Sequence, residues 1–146
     1  MEVLQAVKRE WPKDLPLFVR ISATDWVEGG WDADQSVELA KILRAQGVDL
    51  IDCSSGGLVP YAKINTGPGY QAQFAEKIKK EAGILTGAVG MITDAEQAET
   101  ILKAEKADLI LLARQLLRDP YFPLDAALQL KEDTTWPSQY ERAKPK

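Results

Sequence analysis

Four short apolar segments, each followed by a helical pattern, predict an α/β fold of the (β/α)8 TIM-barrel type, here a half-barrel of four βα units. Three observations carry this. The apolar segments recur roughly 25 to 35 residues apart, the length of a strand with its crossover helix. An open doubly wound sheet usually places a Gly-rich phosphate loop after its first strand, but Ala23-Thr-Asp-Trp26 stands there instead. The residues suited to an anion come after the last two strands, where barrels commonly bind phosphate. A complete barrel takes about 250 residues. With 146 residues the sequence holds half of one, and the late anion signals make it the C-terminal half.

Taken in order, Glu2 to Glu10 reads as a helix with Val3, Leu4 and Val7 apolar, ended by Trp11-Pro12. Leu15 to Ser22 is the first strand. A loop rich in Gly, Asp and Trp follows, in which Trp26 and Trp31 flank Glu28-Gly-Gly30 as a packed lid. Ala33 to Gln46 is a helix with an acidic start and Gly47 at its stop. Val48 to Cys53 is the second strand, and a long loop carries Ser54-Ser-Gly-Gly57 and Gly67-Pro-Gly-Tyr70. Gln71 to Ala82 is a helix with Phe74, Ala75, Ile78 and Ala82 on one face, stopped by Gly83. Ile84 to Val89 is the third strand. Thr93-Asp-Ala-Glu96 reads as a capping box that opens a helix to about Lys103. Ala107 to Ala113 is the fourth strand. It runs into one helical turn closed by Asp119-Pro120, then a helix from about Pro123 to Lys131. Residues 1–131 thus form the half-barrel and 132–146 a polar tail. Alternating strands and helices imply parallel pairing with right-handed crossovers.

The net charge of −4 argues against nucleic acid or a membrane surface as the main partner. No apolar run approaches the roughly 20 residues of a membrane helix, and the first residues do not resemble a signal peptide. A single cysteine, Cys53, excludes an internal disulfide framework and suits a reducing cytoplasm. Histidine is absent, which removes the commonest acid–base catalyst and metal ligand, so no metal is expected.

Two cations stand out. Arg114 ends the fourth strand at a helix start, where the first backbone N–H groups lack intrahelical partners and attract anions. Arg20 lies inside the first strand. Alternation puts Phe18, Arg20 and Ser22 on one face and Leu17, Val19 and Ile21 on the other. The apolar side should face the helices, so Arg20 points into the barrel, where it either pairs with Asp52 or meets a ligand. Gly87 and Gly90, at the third strand, leave room for close backbone approach. For Gly90, beside the Arg114 strand, a ligand contact is expected, whereas Gly57 and Gly83 are read as turn formers. Cys53 alternates outward as a buried, inert thiol.

The segments Leu17-Phe-Val-Arg20-Ile-Ser-Ala, Leu50-Ile-Asp-Cys-Ser54-Ser-Gly, Gly67-Pro-Gly-Tyr-Gln71, Ala88-Val-Gly90 and Ala107-Asp-Leu-Ile-Leu-Leu-Ala-Arg114-Gln-Leu-Leu-Arg-Asp-Pro-Tyr121 resemble the old yellow enzyme family. The nearest likeness is to its thermophilic-like bacterial branch of FMN-dependent NADPH dehydrogenases, or ene-reductases. Five motifs in the right order cover essentially the whole chain and map to strands five to eight of that barrel.

The resemblance implies FMN at the C-terminal mouth, NADPH as its reductant and an activated alkene as substrate. It places Arg20 near the flavin pyrimidine edge and Ser54 near the cofactor. It matches Gly90, Ala113 and Arg114 to the phosphate positions, although the family often has Gly where Ala113 stands. Gln139-Tyr-Glu-Arg142 resembles the segment that this branch inserts into a neighbouring subunit's active site, with Arg142 reaching the substrate side in trans; otherwise Arg142 belongs to a loose tail.

The family's carbonyl-binding pair and tyrosine proton donor lie on and just beyond strand four, outside these motifs. The expectation is therefore an FMN-binding half of an ene-reductase, cytoplasmic and homo-oligomeric, inactive without its N-terminal half. Four strands leave two open edges and an apolar inner face, to be covered by that half or by a second copy. The alternatives are a truncated half-barrel that self-associates without catalysis and, less compatible with Arg20 and the tail, half of a sugar-phosphate isomerase barrel.

Overall fold

The computed structural model describes residues 1–145. Strands β1 (Phe18–Ser22), β2 (Leu50–Ser54), β3 (Leu85–Val89) and β4 (Leu109–Leu111) form one parallel sheet in the order β1-β2-β3-β4. Helices α1 (Glu2–Glu10), α2 (Ala33–Ala45), α3 (Ala72–Ala82), α4 (Ala95–Lys103), α5 (Arg114–Arg118) and α6 (Phe122–Gln129) alternate with them. The order and type of the strands and α-helices match the sequence expectation, one helix and then four βα units, and a 3-10 turn at Glu141–Ala143 is added in the segment read as a polar tail.

The strands are shorter than the apolar runs that announced them, and aspartates explain where two of the pairings begin. The Leu17 N–H donates to the Asp49 carboxylate at 2.8 Å, and the Asp49 N–H returns a bond to the Leu17 carbonyl at 2.9 Å. Asp108 repeats this against Thr86, with both bonds at 2.8 Å. In each case a carboxylate takes the place of a backbone acceptor just before the strand starts. Asp108 also receives Lys79 at 2.9 Å, tying α3 to this end of the sheet.

Period-2 alternation divides the sheet into two faces. Outward, Ile51, Cys53, Thr86 and Ala88 are buried against the helices, with Val19, Ile21 and Ile110 packed at the margins. Val37, Ala40 and Leu43 of α2 and Phe74, Ala75 and Ile78 of α3 complete this core. Inward, Phe18, Leu85 and Leu109 stay 48%, 53% and 41% exposed. Such exposure of large apolar side chains on one continuous face is that of a sheet lacking its second half. Gly87 also faces inward, but a Cβ there would meet Leu111 Cδ1 at 2.5 Å. The space above Gly87 is taken by a side chain of this chain.

Two helix starts differ instructively. The α2 start is a full capping box: Asp32 accepts from the Gln35 N–H at 2.8 Å and Gln35 Oε1 accepts from the Asp32 N–H at 3.1 Å. At α4 the cap is Asp94, which accepts from the Gln97 N–H at 2.8 Å, one residue later than the box read at Thr93. Gln97 Oε1 reaches back to the Thr93 N–H at 3.1 Å. Asp outcompetes Thr here because its carboxylate is a stronger acceptor and adds negative charge at the positive helix end.

The tail is folded back on α6. The Tyr121 and Tyr140 rings meet edge-on, 5.4 Å between centroids. Lys144 bonds the Asp133 carboxylate and the Thr134 carbonyl.

Candidate functional site

Parallel strands deliver their loops to one end of the sheet, and the ends of β3 and β4 open there into a cleft of about 470 Å³. Its walls include Gly90, Ala113 and Arg114, the three positions read from sequence as an anion site, together with Arg118, Tyr70 and Thr66. Arg114 opens α5 with Ala113 as its N-cap. Arg118 follows one turn later on the same face. No carboxylate lines the cleft, and among the described residues neither Arg114 nor Arg118 is in an ion pair. Two guanidinium groups with the amide-bearing ends of two strands make a cavity whose charge is uncompensated, which is the chemistry of a phosphate site. Replacing the expected Gly by Ala113 leaves its backbone N–H in place.

Gly90 has φ +122°, and a Cβ there would stand 2.7 Å from Gln71 Nε2 and 2.9 Å from Tyr70 Cε1. Glycine is therefore required both by backbone conformation and by the side chains packed against it. The Gly90 carbonyl accepts from the Gly69 N–H at 2.9 Å, so the Gly67-Pro-Gly-Tyr70 loop is moored to the cleft wall.

Arg20 and Ser54 lie apart from this cleft, on the inner face of β1 and β2. Arg20 Nη1 donates to Asp52 Oδ2 at 2.8 Å and Nη2 to Ser54 Oγ at 3.1 Å. Of the two roles left open for Arg20, the ion pair is formed. It does not exhaust the guanidinium, because two of five donors are used and the side chain remains 57% exposed toward the open face. Cys53, between Asp52 and Ser54, points the other way and is fully buried. Burial, reinforced by the charge of Asp52, pushes its thiol from 9.0 up to about 12, which makes it inert as a nucleophile at neutral pH.

Arg142 sits in a short 3-10 turn, Glu141–Ala143, exposed and away from both clusters. The lid is packed as expected. Trp31 Nε1 donates to Ser36 Oγ at 2.6 Å, and the Trp26 ring meets Phe74 edge-on at 5.4 Å. Two residues of the site were not singled out from sequence. Arg118 carried a usable signal, its four-residue offset from Arg114. Gln71, whose amide bridges two loops, closes the Gly67-Pro-Gly-Tyr-Gln71 motif, but the motif assigned it no role.

Four parallel strands with helices, and a cationic cleft at the C-terminal ends of the last two, are the architecture of part of an α/β barrel. Residues 1–133 match the NADH:flavin oxidoreductase / NADH oxidase family, and the chain belongs to it. It is 54% identical over 142 residues to an NADPH dehydrogenase of Halalkalibacterium halodurans and 54% identical over 141 to one of Bacillus subtilis. An NADPH dehydrogenase of Listeria monocytogenes is 51% identical over 142 residues. Each match covers 97% of this chain but 41% of the relative, so the chain spans less than half the length of the curated relatives it matches.

Proposed function

We propose that this chain forms the FMN-phosphate and pyrimidine-edge side of an NADPH-dependent ene-reductase, and that it is inactive until the rest of the barrel covers its inner face. One observation carries this. Gly90, Ala113 and Arg114, which the family resemblance matches to phosphate positions, line one carboxylate-free cleft together with Arg118. Bound FMN would supply hydride transfer from NADPH to an activated alkene.

The residues of this chain fit that group. Arg114 and Arg118 offer charge-assisted donors to a phosphate. Arg20 is held in one orientation by Asp52 and Ser54, and its spare N–H donors face the open side of the sheet. A cation fixed there stabilises negative charge on a flavin pyrimidine edge with little reorganisation. Arg142 is assigned, by resemblance, to the substrate side of a neighbouring subunit in a homo-oligomer.

The test is one purification, followed by intact mass, oligomeric state and flavin absorbance, and then NADPH with an activated enone. The lone chain is expected to give no turnover, and turnover would overturn the claim of inactivity. Flavin absent even when the missing half is supplied would sink the cofactor assignment. The exposed Phe18, Leu85 and Leu109 and the free edges of β1 and β4 favour a second reading, in which a second copy closes the face as a structural dimer without catalysis. A stable dimer without flavin would select it.

A further inference from the structure

The side chain of Gln71 is buried, with 3% of the residue exposed. Both ends of its amide are used. Oε1 accepts from Ser55 Oγ at 2.6 Å, and Nε2 donates to the Val89 carbonyl at 2.8 Å. Ser55 Oγ in turn accepts from Trp26 Nε1 at 3.0 Å. A line of hydrogen bonds thus runs from the loop after β1, through the loop after β2, to the last residue of β3.

Its end point matters because of peptide geometry. The Val89 carbonyl and the Gly90 N–H belong to one planar, trans peptide, so they point in opposite directions. Whatever holds the carbonyl aims the N–H. Gln71 holds the carbonyl from outside the cleft, whereas Val89 and Gly90 form part of the cleft wall. The Gly90 carbonyl is fixed separately by Gly69, so the peptides on both sides of Gly90 are set. Gly90 itself must lack a Cβ for the Gln71 amide to reach Val89, since that atom would stand 2.7 Å from Nε2.

We propose that Gln71, oriented by Ser55, is a positioning residue that aims the Gly90 N–H into the Arg114–Arg118 cleft as a donor to the phosphate. This rests on the assignment of that cleft to the FMN phosphate. Gln71 itself touches no ligand; it acts through the Val89–Gly90 peptide. Ser55 fixes which end of the amide carries the donor, because its own proton is committed to Oε1 while it accepts from Trp26.

The experiment supplies the 146-residue chain with its missing half and titrates the assembly with FMN and with riboflavin, the same ring system without the phosphate. Flavin fluorescence reports binding, and circular dichroism reports folding. The wild type is expected to prefer FMN. Gln71→Met, nearly isosteric but without the amide, is expected to weaken FMN about tenfold, on the scale of a lost hydrogen bond between buried groups. Riboflavin affinity is expected to change less than about twofold, a difference that a general loosening of the fold would not produce. Ser55→Ala, a smaller change that keeps the chain folded if Gln71→Met does not, is expected to show the same selective loss to a lesser degree, with Ser55→Thr restoring it. Arg114→Ala separates the two levels of the proposal. If it loses FMN selectively while the Gln71 and Ser55 variants do not, the positioning role is overturned and the phosphate site stands. If the wild type binds FMN no better than riboflavin, both are overturned.

Discussion

At Cys53 a single methylene-borne thiol is enclosed by the helix-facing side of β2, and its raised proton affinity has a measurable consequence. The folded thiol holds its proton up to about pH 12, whereas an unfolded one loses it near 9.0. Stability is therefore unaffected by this group below about pH 9 and falls as pH rises from there toward 12, because only the unfolded chain releases the proton. Urea midpoints from pH 7 to 11 should decline more steeply for the wild type than for Cys53→Ala. Iodoacetamide at pH 8 should label Cys53 only after unfolding. A second prediction concerns the cleft: Arg114→Ala and Arg118→Ala should each weaken FMN binding about tenfold or more, the scale of one charge-assisted hydrogen bond. Unchanged affinity would leave that arginine a solvated surface charge. Much of this scale was legible beforehand. Period-2 alternation turns Arg20, Asp52 and Ser54 inward and Cys53 outward without any knowledge of the fold. Gln71 was not legible, because its partners Ser55 and Val89 lie 16 and 18 residues away and meet it only once the sheet has formed.

Among the elements, a short echo links two strands. Val48-Asp-Leu-Ile51 and Ala107-Asp-Leu-Ile110 each place an aspartate one residue before a strand, and each aspartate exchanges two hydrogen bonds with one earlier residue, Asp49 with Leu17 just ahead of β1 and Asp108 with Thr86 in β3. Read from sequence, the echo looks like the start of an apolar run. Its meaning depends on a neighbour that pattern alone does not identify. Asp108→Ala should lower stability by about 1 kcal/mol, and more if the Thr86 N–H is left without a partner, as read by urea unfolding. Asp94→Ala should also cost about 1 kcal/mol, the value of a helix N-cap. Thr93→Ala should cost much less, because the structural cap is Asp94. The one-residue displacement of that cap is typical of what pattern leaves open, since two adjacent residues were both competent acceptors and the loop from β3 decided between them.

For the molecule as a whole, four strands in sequential order and their helices follow from periodicity and spacing, but closure does not, because the chain does not contain what closes it. The inner face leaves three large apolar side chains, Phe18, Leu85 and Leu109, about half exposed. Its one ion pair, Arg20–Asp52, is internally neutral, so covering this face strands no net charge. Leu109→Glu should leave the secondary structure of the lone chain intact while abolishing its assembly with the covering half or copy, measured by sedimentation. Assembly undiminished by a carboxylate at that position would show that the inner face is not the interface.

The strand order β1-β2-β3-β4 also bears on how the chain reaches its fold. Each strand pairs with the one made just before it, and no pairing in the sheet skips a unit. Every loop closed during folding is thus one βα crossover long, and the entropy of closure is lost in similar small steps rather than in one large one. Such a chain can add strands as it leaves the ribosome, its growing edge always the most recent strand. The ring-closing contact between the first and last strands of a barrel is the distant one, and it is a contact this sheet folds without.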